Sequence, residues 1–315
     1  MIDVNEAIAR LDWSKEPQGL YAPIAYALSS GGKRLRMQLV LSGCRVVGGN
    51  EAEALPFAQA IEVFHNFTLL HDDVMDKADV RRGKPTVHVK WNDNTAILSG
   101  DQMLIEAYRL LEQVPAARLP QLLHLFSQTA TEVCEGQQYD VDFEQRDDVQ
   151  ISEYIEMIRL KTSVLLAAAL KGGGIIGGAG DKEKEALYNY GIHLGLAFQI
   201  QDDLLDCFGD PLTFGKAIGG DISCNKKTYL MLSALKNANP AQREQIAGWL
   251  AQTTPSQQKI DAMKDLYVAT NAREAAEQAI RDHTRKALEC LQALPDNSEK
   301  QRLEAMALSL VNRKS

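Results

Sequence analysis

Between Pro120 and Pro211 the chain runs without a single proline, and that stretch is rich in Ala, Leu, Glu and Gln. Proline inside a helix removes an N–H and clashes with the preceding turn, whereas those four residues favour helix. Strict alternation of Val, Ile and Thr is missing, so strand signals are weak. From about Ser152, the residues Ile155, Ile158, Leu160, Val164, Leu165 and Ala168 form a helical apolar stripe. Further helices are expected over roughly 23–47, 51–79, 94–113, 117–143, 182–209, 226–237, 241–252, 256–269, 271–293 and 297–311. The loops between them are short and carry Gly, Pro, Asp or Asn. No tandem repeat and no shift in composition marks a linker. The expectation is an all-α fold, with residues 1–315 as a single domain.

An apolar fraction of 45% and a charged fraction of 24% are ordinary for a globular protein, which excludes a disordered, collagen-like or rod-like chain. Acidic residues outnumber basic ones, 42 to 34, for a net charge of −8. That balance argues against a nucleic-acid partner. The five cysteines, at 44, 134, 207, 224 and 290, are scattered and include no Cys-x-x-Cys pair, against a disulfide framework or a cysteine zinc site. Residues 1–6 lack the basic-then-apolar order of a signal peptide. No run approaches ~18 uninterrupted apolar residues, so no membrane span is expected. A reduced, cytoplasmic protein is the expectation.

The chemistry is concentrated in two copies of one pattern. Asp72-Asp73-Val74-Met75-Asp76 is an Asp-Asp-x-x-Asp cluster, and Asp202-Asp203-Leu204-Leu205-Asp206 repeats it. With Asp at 22 of 315 positions, chance supplies such a cluster about 0.1 times. On a helix, the first and last Asp of each cluster lie ~40° apart and one turn from each other. Upstream residues are apolar: Phe67, Leu69 and Leu70 before the first cluster, Leu196, Ala197, Phe198 and Ile200 before the second. The carboxylates therefore end buried helices, where crowded like charges repel or take up protons. A hard cation such as Mg²⁺, shared with substrate phosphates, resolves that conflict. Alone, either cluster could be a solvated cap; the pair makes that reading uneconomical.

Two basic clusters need an anion: Gly31-Gly32-Lys33-Arg34-Leu35-Arg36 and Arg81-Arg82-Gly83-Lys84-Pro85-Thr86, the latter five residues beyond Asp76. Arginine's planar fork suits phosphate oxygens, so acid for metal beside arginine for phosphate fits a diphosphate. His65 lies nearly two turns before Asp72, on the same face and about 10 Å away. Lys161 and Thr162 interrupt an apolar helix face, and Gln199 precedes Asp202 by three residues. Lys216 and Lys226 follow the second cluster. Gly172-Gly173-Gly174-Ile175-Ile176-Gly177 satisfies a dinucleotide glycine pattern, but it follows a helical run with no βαβ unit. It reads as a helix–helix turn.

These segments stand in the order found in trans-isoprenyl diphosphate synthases, the polyprenyl synthetase family, and the chain resembles that family over nearly its whole length. The matching segments are Gly31–Arg36, Glu62-x-x-His65, Leu69–Asp76 leading to Arg81–Thr86, Gly136-Gln137-Gln138-Tyr139-Asp140, Lys161-Thr162, Phe198–Asp206, and Lys216 with Lys226. The resemblance implies an all-α bundle around a deep cavity, usually a homodimer, with three Mg²⁺ ions per active site. It implies Asp72, Asp76 and Asp202 as direct Mg²⁺ ligands, with Asp73, Asp203 and Asp206 supporting metal or water. Arg81, Lys161, Lys216 and Lys226 would hold an allylic diphosphate, with Thr162 and Gln199 near the forming cation. Lys33, Arg36, His65 and Arg82 would hold isopentenyl diphosphate.

Met37 and Asn225 depart from the family pattern, which has proline and glycine there. They question local loop geometry and remove no charged contact. The implied reaction is ionisation, condensation and elimination, yielding a short all-trans product of fifteen to twenty carbons. Two rivals are a class I terpene cyclase and a regulatory subunit of a heteromeric prenyltransferase. The second Asp cluster and the six intact aspartates weigh against them. For product length, the family pattern points to Phe67, whereas the helical wheel places Phe64 deeper on the Asp72 side and Thr68 facing the cavity without closing it.

Overall fold

The computed structural model describes residues 2–210, 218–252 and 254–311, and they are mostly helical, with strand only in one short hairpin among the described residues. The chain divides into two compact units, Met1–Ser127 with Ala168–Leu187, and Gln128–Ala167 with Tyr188–Ser315.

In the first unit, α1 (Val4–Ala9), α2 (Gln18–Leu28) and α3 (Leu35–Val46) precede the long α4 (Glu51–Met75). A two-stranded hairpin, β1 (Val80–Arg81) and β2 (Lys84–Pro85), leads to α5 (Val87–Lys90) and α6 (Asp93–Leu111). Helix α4 packs along α3 and α6. It starts where the Asn50 side chain accepts from the Ala52 N–H, and α6 starts where Asn92 accepts from Thr95, each satisfying an orphan donor of a first turn. Phe57, Phe64, Met37, Met103 and Phe126 are fully buried here. Burying each such side chain contributes roughly 1.5–3 kcal/mol.

The expected helix over 23–47 is two helices. Gly31 (φ 77°), Gly32 (φ 122°) and Arg34 (φ 46°) turn the backbone into the left-handed region between α2 and α3, which no helix can follow. Helix α4 likewise ends at Met75, just before the positive φ of Lys77. The glycine run at 172–177 is also corrected: it is not a turn but the last part of a helix. A Cβ at Gly172 would overlap the Phe57 ring, and one at Gly173 would overlap the Val40 carbonyl and stand 2.9 Å from the Cys44 nitrogen. Those glycines let the helix approach α3 and α4 within the first unit.

The boundary between the units falls inside α7 (Leu119–Glu144), α9 (Val164–Gly177) and α10 (Asp181–Phe208). In the second unit, α8 (Ile151–Ile158) continues into a single π turn, Arg159–Ser163, before α9. The later helices are α11 (Gly220–Ser223), α12 (Tyr229–Asn237), α13 (Pro240–Leu250), α14 (Gln257–Ala269), α15 (Ala272–Cys290) and α16 (Ser298–Val311). Helix α15 packs against α12, α14 and α16. Tyr190 is buried, and its hydroxyl donates to the Leu303 carbonyl (2.7 Å). The segment Ile151–Gly177 is long and apolar enough to cross a membrane, yet 78% of its most apolar window is buried in protein, as in a core helix. All five cysteines are free thiols.

Candidate active site

In the first unit, the last turn of α4 carries Asp72 and Asp73, Asp76 caps it, and the β1–β2 hairpin follows. Arg81 thereby meets the cluster: Nε donates to Asp73 (2.7 Å) and a terminal nitrogen to Asp72 (3.3 Å). The hairpin is pinned by the Thr86 hydroxyl, which donates to the Ala78 carbonyl (2.7 Å), and by the Tyr26 hydroxyl, which donates to that of Pro85 (2.8 Å). Burial raises the Asp73 carboxyl above the usual carboxylate range, and Arg81 only partly offsets this. The arginine occupies the place where crowded carboxylates demand a cation.

A cationic pocket lies beside this cluster. Arg36 and His65 are half-buried and meet at 3.0 Å through the His65 Nε2. Burial and then the neighbouring Arg36, Arg82, Arg81 and Arg34 hold the imidazole well below its usual pKa, so it is neutral and accepts from Arg36. Burial lowers the Arg36 guanidinium to about 10. Arg82 donates to the Gly31 carbonyl, and Gly32, whose φ of 122° itself favours glycine, lies against that guanidinium. Arg34 is buried against Glu62 (3.0 Å) and fastens the loop by donating to the Leu28 carbonyl. Lys33 is exposed. Four arginines thus lie around a neutral histidine, two of them, Arg34 and Arg81, already paired with carboxylates, which concentrates positive charge here.

In the second unit, Asp202, Asp203 and Asp206 occupy the last turns of α10. Asp203 is buried and accepts from the Tyr154 hydroxyl and from Gln199 Nε2 (3.1 Å). The Gln199 oxygen accepts from the Thr162 hydroxyl (3.2 Å), so Thr162, Gln199, Asp203 and Tyr154 form one hydrogen-bonded chain. Burial pushes the Asp203 carboxyl up to about 6. Asp206 accepts from the Asp221 N–H (3.0 Å), and burial, then Asp203, pushes the Asp221 carboxyl up to about 7. Lys161 pairs with Asp140 (2.6 Å). Burial alone would lower the Lys226 pKa, but Asp140, Asp221 and Asp203 raise it above its usual value. Lys226 and Lys161 in turn hold Asp140 below the ordinary carboxylate range despite its burial. Lys216 lies outside the described residues.

The structure thus brings Arg36, His65, Arg81 and Arg82 together beside Asp72 and Asp73, and groups Thr162, Gln199 and Asp203, and separately Lys161 and Lys226 around Asp140. The sequence reading named no role for Tyr154, Asp140 or Asp221. Tyr154 is a hydroxyl two turns before Lys161 in an apolar stripe, and Asp221 lies between the two late lysines; both signals were available. The departures are accommodated. Met37 is fully buried in the first turn of α3. Asn225 takes the left-handed φ of 57° that glycine would take. Its side chain donates to the Leu250 carbonyl (2.9 Å) and accepts from Lys259 Nζ (2.7 Å).

A family profile described as polyprenyl synthetase matches residues 17–267. The chain belongs to the polyprenyl synthetase family. It is therefore a prenyltransferase with the all-α isoprenoid synthase fold. It is 44% identical over 235 residues to a geranylgeranyl diphosphate synthase of Methanosarcina mazei, covering 74% of this chain and 72% of that one. A crystal structure of geranylgeranyl pyrophosphate synthetase from Pyrococcus horikoshii superposes with a TM-score of 0.93 at 36% identity, over 98% of this chain and 94% of that one. A polyprenyl synthase from Caulobacter crescentus, solved with calcium and isoprenyl diphosphate, superposes with a TM-score of 0.89 at 29% identity, over 99% and 94%.

Proposed function

We propose that this prenyltransferase condenses isopentenyl diphosphate with an allylic diphosphate to give an all-trans product of fifteen to twenty carbons. The reading rests chiefly on one observation. Each Asp-Asp-x-x-Asp cluster ends a helix beside a cationic side chain: Arg81, which Asp72 and Asp73 hold, at the first, and Lys226, whose charge Asp140, Asp221 and Asp203 favour, near the second. The geranylgeranyl names of the relatives and the diphosphate bound to the Caulobacter protein are consistent with it.

The donor set fits Mg²⁺. It is all oxygen, and burial pushes Asp203 and Asp73 toward protonation, a cost that a bound cation would offset. Asp72, Asp76 and Asp202 are the proposed ligands, with Asp73, Asp203 and Asp206 in support; the family pattern puts three ions there. Bound Mg²⁺ supplies charge for the leaving diphosphate. The chain's own residues do the rest. Arg81, Lys161 and Lys226 hold the allylic diphosphate as charge grows on it. The Thr162–Gln199 pair turns its dipoles toward the cation left behind. Arg36, His65, Arg82 and Lys33 hold isopentenyl diphosphate, whose double bond attacks. No side-chain base is assigned, and the released diphosphate takes the proton.

Residues 1–315 are proposed as one catalytic domain, since α7, α9 and α10 each contribute to both units. The enzyme is proposed to be cytoplasmic. A homodimer is proposed from Ile97, Leu98 and Ile105, which cluster on one side of α6 and are 43%, 60% and 54% exposed. Light scattering should give twice the chain mass, and Leu98→Lys should lower it.

The function is tested by incubating purified protein with isopentenyl diphosphate and, in turn, dimethylallyl, geranyl and farnesyl diphosphate, then sizing the products. Cyclic hydrocarbons, or no turnover without a second polypeptide, would replace this reading with one of its rivals.

A further inference from the structure

We infer that Gly136 on α7 and Gly195 on α10 are positioning residues that hold the π turn carrying Lys161 and Thr162. The inference rests on the proposed placement of those two residues at the allylic diphosphate. In the turn, the Val164 N–H bonds to the Arg159 carbonyl five residues back. A π turn is wider than the α-helix around it and needs extra room from its neighbours. Both neighbours provide it with a glycine. A Cβ on Gly136 would overlap the Lys161 backbone nitrogen and stand 2.7 Å from the Leu160 carbonyl carbon. A Cβ on Gly195 would stand 2.5 Å from the Ser163 Cα and 2.6 Å from its Oγ. Real Cβ atoms do not approach that closely, and the Lys161 and Ser163 contacts are with backbone, which cannot swing aside.

The pattern on the two helices is the same. Four residues after Gly136, Asp140 takes the Lys161 ammonium (2.6 Å). Four residues after Gly195, Gln199 takes the Thr162 hydroxyl (3.2 Å). Residues i and i+4 share a helix face. Each helix thus sets the approach of the backbone with a glycine and orients the side chain one turn further on. Simple close packing would need only the first. Gly191 is that simpler case: it lies one turn before Gly195, and its Cβ would overlap the Ala167 Cα in regular helix.

The experiment compares Gly136→Ala, Gly195→Ala and Gly191→Ala in the full-length enzyme. Melting temperature and the KM and kcat for both substrates are measured at saturating Mg²⁺. Gly136→Ala and Gly195→Ala should raise the allylic KM at least fivefold, or lower kcat at least tenfold, with the isopentenyl diphosphate KM within twofold of wild type. Gly191→Ala should lower the melting temperature comparably and leave both KM values alone. Kinetics that follow Gly191→Ala in all three variants overturn the inference. Should a glycine variant fail to fold, amide exchange in wild type decides. Leu160–Val164 should exchange as slowly as α8 and α9, and rapid exchange of the turn means the slot does not hold it. Lys161→Ala separates the two levels. If it leaves allylic kinetics unchanged, the placement of Lys161 is wrong; if it impairs them and the glycine variants do not, only the slot fails.

Discussion

The two acid clusters share a sequence pattern and differ in nearly everything around it. The cluster at Asp72 has one buried member, Asp73, and is countered by an arginine reaching back from a hairpin. The cluster at Asp202 also has one buried member, Asp203, but this one is gripped by a tyrosine and a glutamine and lies near Lys226. The arginine on a two-residue strand would have to release these carboxylates for the proposed Mg²⁺ to bind. A carboxylate built into a hydrogen-bonded chain keeps its orientation whether or not metal is present. The same five-residue pattern is therefore held by an ion pair from a hairpin in one place and by a hydrogen-bonded chain in the other, and the elements packed against each helix end decide which.

The largest expected effect tests whether both clusters are indispensable. Asp72→Ala and Asp202→Ala should each lower turnover by several orders of magnitude, with helix content by circular dichroism nearly unchanged. More than a tenth of wild-type activity at saturating substrate, in either variant, breaks the account.

A smaller effect belongs to the cationic pocket beside the first cluster. Losing a charge-assisted phosphate contact commonly costs ~1.5–3 kcal/mol, so Arg82→Ala and Lys33→Ala should raise the KM for isopentenyl diphosphate roughly tenfold or more. The allylic KM should move less. Arg82, which is held by the Gly31 carbonyl and lies close enough to Arg36 and His65 to lower the pKa of both, should show the larger change than Lys33, although both side chains are exposed. Equal effects on both substrates would mean the pocket is misassigned.

The contrast in burial is sharpened by stability without metal. Asp203 has a folded-state pKa of about 6, above its unfolded value. The folded chain therefore binds this proton more tightly, and the contribution is complete below about pH 4 and lost as pH rises through about 6. In chelator, wild type should lose stability relative to Asp203→Asn between pH 4 and 7, by on the order of 2 kcal/mol at most. Parallel melting curves across that range would show that Asp203 is not held as described.

The smallest effect is on product size. Phe64 is buried against Phe67 (5.5 Å between ring centres) and Phe126 (5.2 Å), and Phe126 is backed by Tyr108. Phe67 is half-buried and stacks edge-on with His71. Phe67→Ala should lengthen the product, because Phe67 is the more open of the two. Phe64→Ala should do so only if the chain reaches past Phe67. Thr68→Phe should shorten it. No lengthening in the double variant would remove both residues from the floor.

Much of this was legible in the sequence, for a physical reason. Repeated carboxylates at one-turn spacing after apolar residues have few uses, so the pattern alone located both helix ends. Backbone geometry was not legible. The break between α2 and α3 depends on the left-handed φ of Arg34 as well as on Gly31 and Gly32; the Ser-Ser-Gly-Gly run there was a signal for it, but the φ of Arg34 was not legible. The π turn at 159–163 is written in ordinary helix formers; the space for it comes from glycines on α7 and α10, far away in sequence. Tyr154 lies beside an apolar stripe, and nothing local shows that its hydroxyl serves Asp203, 49 residues on.

The most direct test of the central claim is turnover by the purified chain alone with isopentenyl and geranyl diphosphates, first in chelator and then with Mg²⁺ restored. The account predicts no product in chelator, full recovery with Mg²⁺, and no recovery at any Mg²⁺ concentration for Asp72→Ala or Asp202→Ala. Chain elongation that persists in chelator, or a purified chain that Mg²⁺ cannot activate, would contradict it.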